Sequence, residues 1–250
     1  MLENISGSSL KEQFKSNDKL RLTTYVVGGL VVITLGYFTY KQFIWGPANE
    51  KSKAAYFEGL NYADKDSTDA AVETLKPIVK KYDGKIGGEI AQFSYARQLM
   101  TKGQFAQALK ELEGVNVEDT YVSVMAIGLQ GDCKSELGKY EDAASLYVKA
   151  AEKQDNDFTT PTYLFKAAFC AEKVNDFNSA VELYKRIEDN YPDFANQKSI
   201  KKYIARATKT EKYFWLLQIA ICQITIRTLF QMVPILESAL LFLNGMIRLH

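Results

Sequence analysis

Apolar positions change regime along this chain. From Leu22 to Tyr40, 19 consecutive residues carry no charge, and the run stays apolar through Phe43, Ile44 and Trp45 after a lone Lys41. At 1.5 Å per residue, such a helix reaches about 30 Å, the thickness of a bilayer's hydrocarbon core. Tyr37, Tyr40 and Trp45 gather at one end, where amphipathic rings favour the headgroup zone, and Lys19 and Arg21 close the other. The pattern predicts a transmembrane helix over 22–45 behind an N-terminal tail over 1–21. Two other readings compete. A cleaved signal peptide has a shorter apolar region and a small-residue cleavage site, and a core helix would be buried. Four basic residues (Lys11, Lys15, Lys19, Arg21) precede the span and three (Lys41, Lys51, Lys53) follow it. That balance leans toward an N-terminus inside and a body outside the cytoplasm.

The next regime is periodic. Four segments share a small residue (Gly59, Ala96, Gly131, Ala168), then, nine positions on, a mostly aromatic one (Thr68, Phe105, Tyr140, Phe177), then Ala three further (Ala71, Ala108, Ala143, Ala180). A large apolar residue follows each Ala by four: Leu75, Leu112, Tyr147, Tyr184. The Ala-to-Ala spacings are 37, 35 and 37 residues. Small residues at the centres of successive helices let their backbones approach, so each unit reads as a helical hairpin. Two residues before each aromatic position stand Asp66, Gly103, Gly138 and Asn175, types that suit the left-handed conformation ending a helix. The first unit is the weakest match, with Thr68 for the aromatic and Pro77 inside its second helix. GKIGG at 84–88 lacks both phosphate-loop signatures and reads as the linker between the first two hairpins.

The last regime breaks the pattern. The 38 residues from Tyr213 to His250 hold only Arg227, Glu237 and Arg248 as charged residues, and the uncharged stretch 213–226 is 14 residues, too short to span. Three readings stay open for an atypical hydrophobic extension over 210–250: sequence read out of frame past the domain's natural end, a membrane-associated segment, or a cap on the last repeat. A cap needs a polar outer face, which KKYIARATKTEK already supplies, so the first reading is favoured over the second and the second over the third.

Composition removes most chemistry. With 31 Lys+Arg against 30 Asp+Glu, net charge is +1, and the repeat region holds 23 basic and 25 acidic residues, so nucleic acid is not an expected partner. The single His is terminal, and Cys133, Cys170 and Cys222 form no CxxC pair, so neither a zinc site nor a His-based triad can be assembled. Cys133 and Cys170 occupy equivalent places in successive units, about 10 Å apart in helix packing, and are expected as free thiols. Glu111 with Glu113, Glu118 with Asp119, and Glu188 with Asp189 point to different helix faces and read as solvated surface. No cofactor, metal or enzymatic activity is expected.

KGQFAQA, LGKYEDA and VNDFNSA, with Pro192 closing the fourth unit, resemble tetratricopeptide repeats. The anchor followed by repeats over 48–209 is similar to a bacterial family of single-span inner-membrane proteins with a periplasmic tetratricopeptide-like domain, among them the ancillary subunit of the Sec translocon. The fold expected is all-α, an α-solenoid of about four hairpins with an N-terminal transmembrane helix. The resemblance implies a membrane-anchored, non-enzymatic protein-binding scaffold that assists protein export or envelope assembly. The alternative is a structural subunit that dimerises or docks onto a larger membrane complex.

Repeat position places Tyr56, Phe93, Arg97, Asp132, Phe165 and Phe169 on the protein-binding groove, with Leu60, Met100, Glu136 and Lys173 beside them. Such aromatics with interspersed charges suit an extended protein segment. The competing reading packs Phe93, Phe165 and Phe169 into the core.

Overall fold

A computed structural model of the protein describes residues 15–247 apart from 66 and 118, with side chains described as far as residue 225. The readings that fall on Asp66, Glu118, Arg248 and His250 lie outside the described residues. Among the described residues every regular element is helical, and the fold is an all-α, tetratricopeptide-like array of helical hairpins. The chain divides into two compact units, Met1–Gln98 and Leu99–His250.

In the first unit, α1 (Asp18–Tyr40) runs through a π-helical turn (Lys41–Trp45) into α2 (Gly46–Asp64), one continuous helix of 47 residues. Asn17 caps its start, Oδ1 accepting from the Lys19 and Leu20 N–H groups. The wide turn stands directly before Pro47, whose ring would crowd the carbonyl four residues back in a regular α-helix. Side chains of α1 are exposed all along the helix, so the buried-core reading of this stretch does not hold. The hydroxyls of Thr23, Thr24, Thr34 and Thr39 donate to carbonyls one turn back at 2.7–2.8 Å, leaving no side-chain donor of these threonines dependent on water.

α2 packs on α3 (Thr68–Lys81) where Gly59 meets Leu75; a Cβ at Gly59 would lie 2.4 Å from Leu75 Cδ2. The linker ends earlier than GKIGG suggests. α4 (Ile86–Thr101) already contains Gly87 and Gly88, and a Cβ on Gly87 would stand 2.1 Å from the Ser52 carbonyl oxygen. These glycines therefore serve a close backbone crossing rather than a flexible link. The crossing also satisfies the open N-terminus of α4: Asn49 Oδ1 accepts the Ile86 N–H at 2.9 Å and Ser52 Oγ accepts the Gly87 N–H at 3.1 Å, both acceptors buried.

The second unit stacks α5 (Phe105–Gly114), α6 (Thr120–Glu136), α7 (Tyr140–Lys153), α8 (Thr159–Lys173) and α9 (Phe177–Asn190), each packed on the next. The short α10 (Pro192–Lys198) leads into α11 (Ile200–Ile247), which packs on α9. Helices α3, α5, α7 and α9 begin at Thr68, Phe105, Tyr140 and Phe177, the positions the repeat marks. The turns before them are built alike. Gly103, Gly138 and Asn175 have φ of 72°, 74° and 63°, and Ser67, Gln104, Lys139 and Asp176 each donate a backbone N–H at 2.9 Å to the carbonyl five residues back. This is the six-to-one bond of a Schellman motif. Ala71, Ala108, Ala143 and Ala180 are all fully buried, as are Leu75, Leu112 and Tyr184, with Tyr147 nearly so. Cys133 and Cys170 are buried free thiols, pushed upward in pKa by burial, Cys133 to about 11.

The first turns of α11 pack into the repeat core. Tyr203 and Ile204 join the core, Ala207 is fully buried, and Phe214 meets the Phe177 ring edge-on at 6.0 Å. From Trp215 to Thr225 every residue of the same unbroken helix is exposed.

Candidate protein-binding site

Of the residues assigned to a groove, Tyr56, Phe93 and Arg97 belong to the first unit. Tyr56 is half-buried on α2 with its ring stacked on Phe57 at 4.7 Å, and Arg97 is exposed on α4. Phe93 is 7% exposed and is a core residue, which corrects its groove assignment. Its position on α4 faces the interior together with the fully buried Ala96 and Leu99.

In the second unit the structure brings Asp132, Phe165 and Phe169 into one neighbourhood on α6 and α8. Asp132 Oδ1 accepts from the Tyr147 hydroxyl at 2.6 Å and from Lys166 Nζ at 2.7 Å. The Lys166 ammonium also lies 5.5 Å from the Tyr147 ring and 5.8 Å from that of Tyr163, so its charge is held by a carboxylate and two π faces. Burial first, then the bond to Asp132, pushes the Tyr147 hydroxyl well above the ordinary tyrosine range; burial and then the Asp132 charge push Tyr163 up to about 12. Asp132 is therefore a positioning group within the repeat stack, and Lys166 is what it presents outward.

Phe165 is part core and part surface. Its ring packs edge-on against Tyr203 at 5.0 Å and against Phe194 at 6.4 Å, with Tyr184 at 5.8 Å. Its remaining edge, with Phe194, lines a cleft of about 710 Å³ between α8 and α10, rimmed by Phe158, Asp157, Lys166, Asp193 and Lys198. Phe158 is 79% exposed. A fixed loop holds it there: Asn156 Oδ1 accepts the N–H groups of Phe158 (3.0 Å) and Thr159 (2.7 Å), and its amide donates to Thr159 Oγ1 at 2.6 Å. Tyr191 fastens the same loop by donating its hydroxyl to Asp155. One turn past Phe165, Phe169 is 46% exposed, with Lys173 Nζ 5.3 Å from its ring centre. The result is a rigid surface of three accessible aromatics flanked by both signs of charge, suited to an extended protein segment carrying apolar and charged side chains.

Repeat position alone does not reveal Phe158, Phe194 or Asn156, which lie outside the helix A pattern. The segment NDFTTP carries a usable signal, an Asx-turn residue and an aromatic in a polar stretch directly before a helix. Of the three carboxylate pairs, Asp119 is explained by capping, its Oδ1 accepting from the Tyr121 and Val122 N–H groups at 2.9 and 2.8 Å.

A family model described as a tetratricopeptide repeat-like domain matches residues 14–127, less than half of the chain. The crystal structure of MamA protein is similar to this chain with a TM-score of 0.50 at 16% identity, over 65% of this chain and 91% of that one. No curated protein matches the chain. At that identity the structural likeness speaks for the fold alone, a tetratricopeptide-like array of helical hairpins.

Proposed function

We propose that the protein is a membrane-anchored, non-enzymatic scaffold that captures other proteins on the aromatic surface of its second unit. The observation that carries the reading is the exposure of Phe158 and Phe169, large apolar rings held on a fixed loop and a packed helix beside the cleft floored by Phe165 and Phe194. Exposed aromatics on a rigid frame cost little ordering entropy on binding, which is how such residues become anchors of an interface. Anchoring is assigned to residues 22–45, uncharged over 19 residues and exposed from Leu22 to Ile44. An extracytoplasmic domain that assists protein export or envelope assembly is the role that the anchor-plus-repeat organisation favours, given its resemblance to single-span inner-membrane proteins.

Site-specific photo-crosslinking in cells tests this reading. A photoreactive residue at Phe169 should capture client or machinery proteins, and Phe158→Ser should abolish the capture. Capture of the chain itself alone would replace the scaffold with a self-associating structural subunit.

A further inference from the structure

We propose that α11 from Tyr213 onward inserts into a lipid bilayer, giving the chain a second membrane contact independent of its N-terminal helix. The apolar surface here is not a stripe. From Trp215 to Thr225 every position is exposed and none is charged; Gln218 and Thr225 lie within about 20° of each other and Gln223 about 140° from Gln218, with large apolar side chains on all the remaining sides, so no charged face exists. A helix that lies on a membrane surface needs such a face, and one that pairs with a single partner helix shows one apolar seam; all-round apolarity is what acyl chains cover. The Thr225 hydroxyl donates to the Ile221 carbonyl at 2.9 Å, within the helix itself.

The boundary of the segment carries a second, independent signal. Lys202, Lys209 and Lys212 stand in the preceding three turns, and Tyr213, Phe214 and Trp215 follow directly. Lys209 Nζ lies 5.9 Å from the Tyr213 ring. Cations at headgroup level followed by aromatics and then an uncharged run mark an interface, and the cations complement anionic headgroups.

The chain holds two tryptophans, Trp45 and Trp215, so each segment can be read separately. Full-length Trp45→Phe protein, reconstituted in vesicles of phosphatidylcholine and phosphatidylglycerol, retains Trp215 as its only indole. Its emission should be progressively lost as brominated phosphatidylcholine replaces the ordinary lipid. Adding Leu217→Lys and Ile221→Lys should remove that loss while the helical circular dichroism of the repeats persists. Emission indifferent to brominated lipid overturns the proposal. Emission that instead changes only with the protein-to-lipid ratio overturns it in favour of a second copy of the chain. Trp215→Phe protein reports Trp45 in the same vesicles, so failure of the N-terminal anchor and failure of this inference give different results.

Discussion

Lys166 reaches Asp132 from 34 positions further along the chain, and Arg206 reaches Glu172 over the same separation, at 2.7 and 2.8 Å. In each case the carboxylate also accepts the hydroxyl of the repeat's own large second-helix residue, Tyr147 for Asp132 and Tyr184 for Glu172. The hairpin of one repeat is thus tied internally by Tyr-to-acid and to the following first helix by acid-to-base. The repeat period appears twice, once in packing and once in polar contacts, and the second coupling fixes the register of neighbouring helices that apolar packing alone would let slide.

Asp132→Asn should weaken this coupling, and Asp132→Leu should break it. The Lys166 side chain is 39% exposed, so the ion pair by itself is screened and contributes modestly. The larger cost is the Tyr147 hydroxyl stranded without its acceptor in a nearly buried position. The expected loss for Asp132→Leu is about 1.5–3 kcal/mol, read from denaturant melts of the full chain in detergent. A Lys166→Met variant costing as much would show that the ion pair dominates instead.

Stability should fall in alkali. Tyr147, Tyr163 and Tyr184 are all raised above the ordinary value of 10.0, burial being the first cause in each. The folded state therefore keeps these protons at pH values where the unfolded chain releases them. Their contribution is fully present below pH 10.0, declines as pH rises past it, and for Tyr163 continues to decline until about pH 12. Melting temperatures measured from about pH 8 to about pH 11 should drop on the alkaline side. Tyr147→Phe should flatten the slope while lowering stability at neutral pH.

The crossing of α2 with α4 should not tolerate a methyl group. Gly87→Ala would force a Cβ against the Ser52 backbone, where no side chain can yield, and strain the N–H bonds that Asn49 and Ser52 accept. A destabilisation of at least about 1–3 kcal/mol is expected. Gly28→Ala, a helical position with nothing within 4 Å, is the matched control and should leave the melt unchanged or slightly raised. Equal melts for the two variants would mean that the helices do not cross at Gly87.

Overpacking Ala143 tests the hairpin register itself. Its side chain is fully buried in the core of α6 to α9, and Trp at that site must displace α7 from its neighbours. Ala143→Trp should unfold the second unit or lower its stability by more than the usual 1–3 kcal/mol, roughly, of an added methylene or two. An unchanged circular dichroism melt would mean that the repeat phase is misassigned.

What was legible in the sequence follows from how local each determinant is. The starts of α5, α7 and α9 could be read because a left-handed residue, an aromatic and an Ala lie within a few positions of one another, and turn chemistry is decided there. The Asn49 and Ser52 caps could not, since their partners are 37 and 35 residues away and nothing at either position marks the pairing. Gly87 and Gly88 looked like a linker because glycine writes flexibility and close approach with the same letter. The groove residues divided for a related reason. Repeat position tells which helix face a residue occupies, and both Phe93 and Phe169 lie on first helices. Only the neighbours that happen to cover that face decide that one is core and the other accessible.

Phe169 and Phe165 therefore make a paired test of the binding surface. Both are aromatic, four residues apart on α8, and a stability effect should separate them. Phe165 packs against Tyr184, Phe194 and Tyr203, so Phe165→Ser removes core contacts and should cost about 3–5 kcal/mol, lowering the melt together with any binding. Phe169 is 46% exposed and its ring meets Lys173, so Phe169→Ser should leave the melt within about 0.5–1 kcal/mol of the parent. If Phe169 is an anchor of the interface, crosslinking to a partner from Thr162, two turns earlier on α8 and on the cleft lining, should drop sharply in this variant while its fold persists. A Phe169→Ser protein that keeps full capture would confine the binding surface to the Phe158 cleft. One that loses several kcal/mol would place Phe169 in the core.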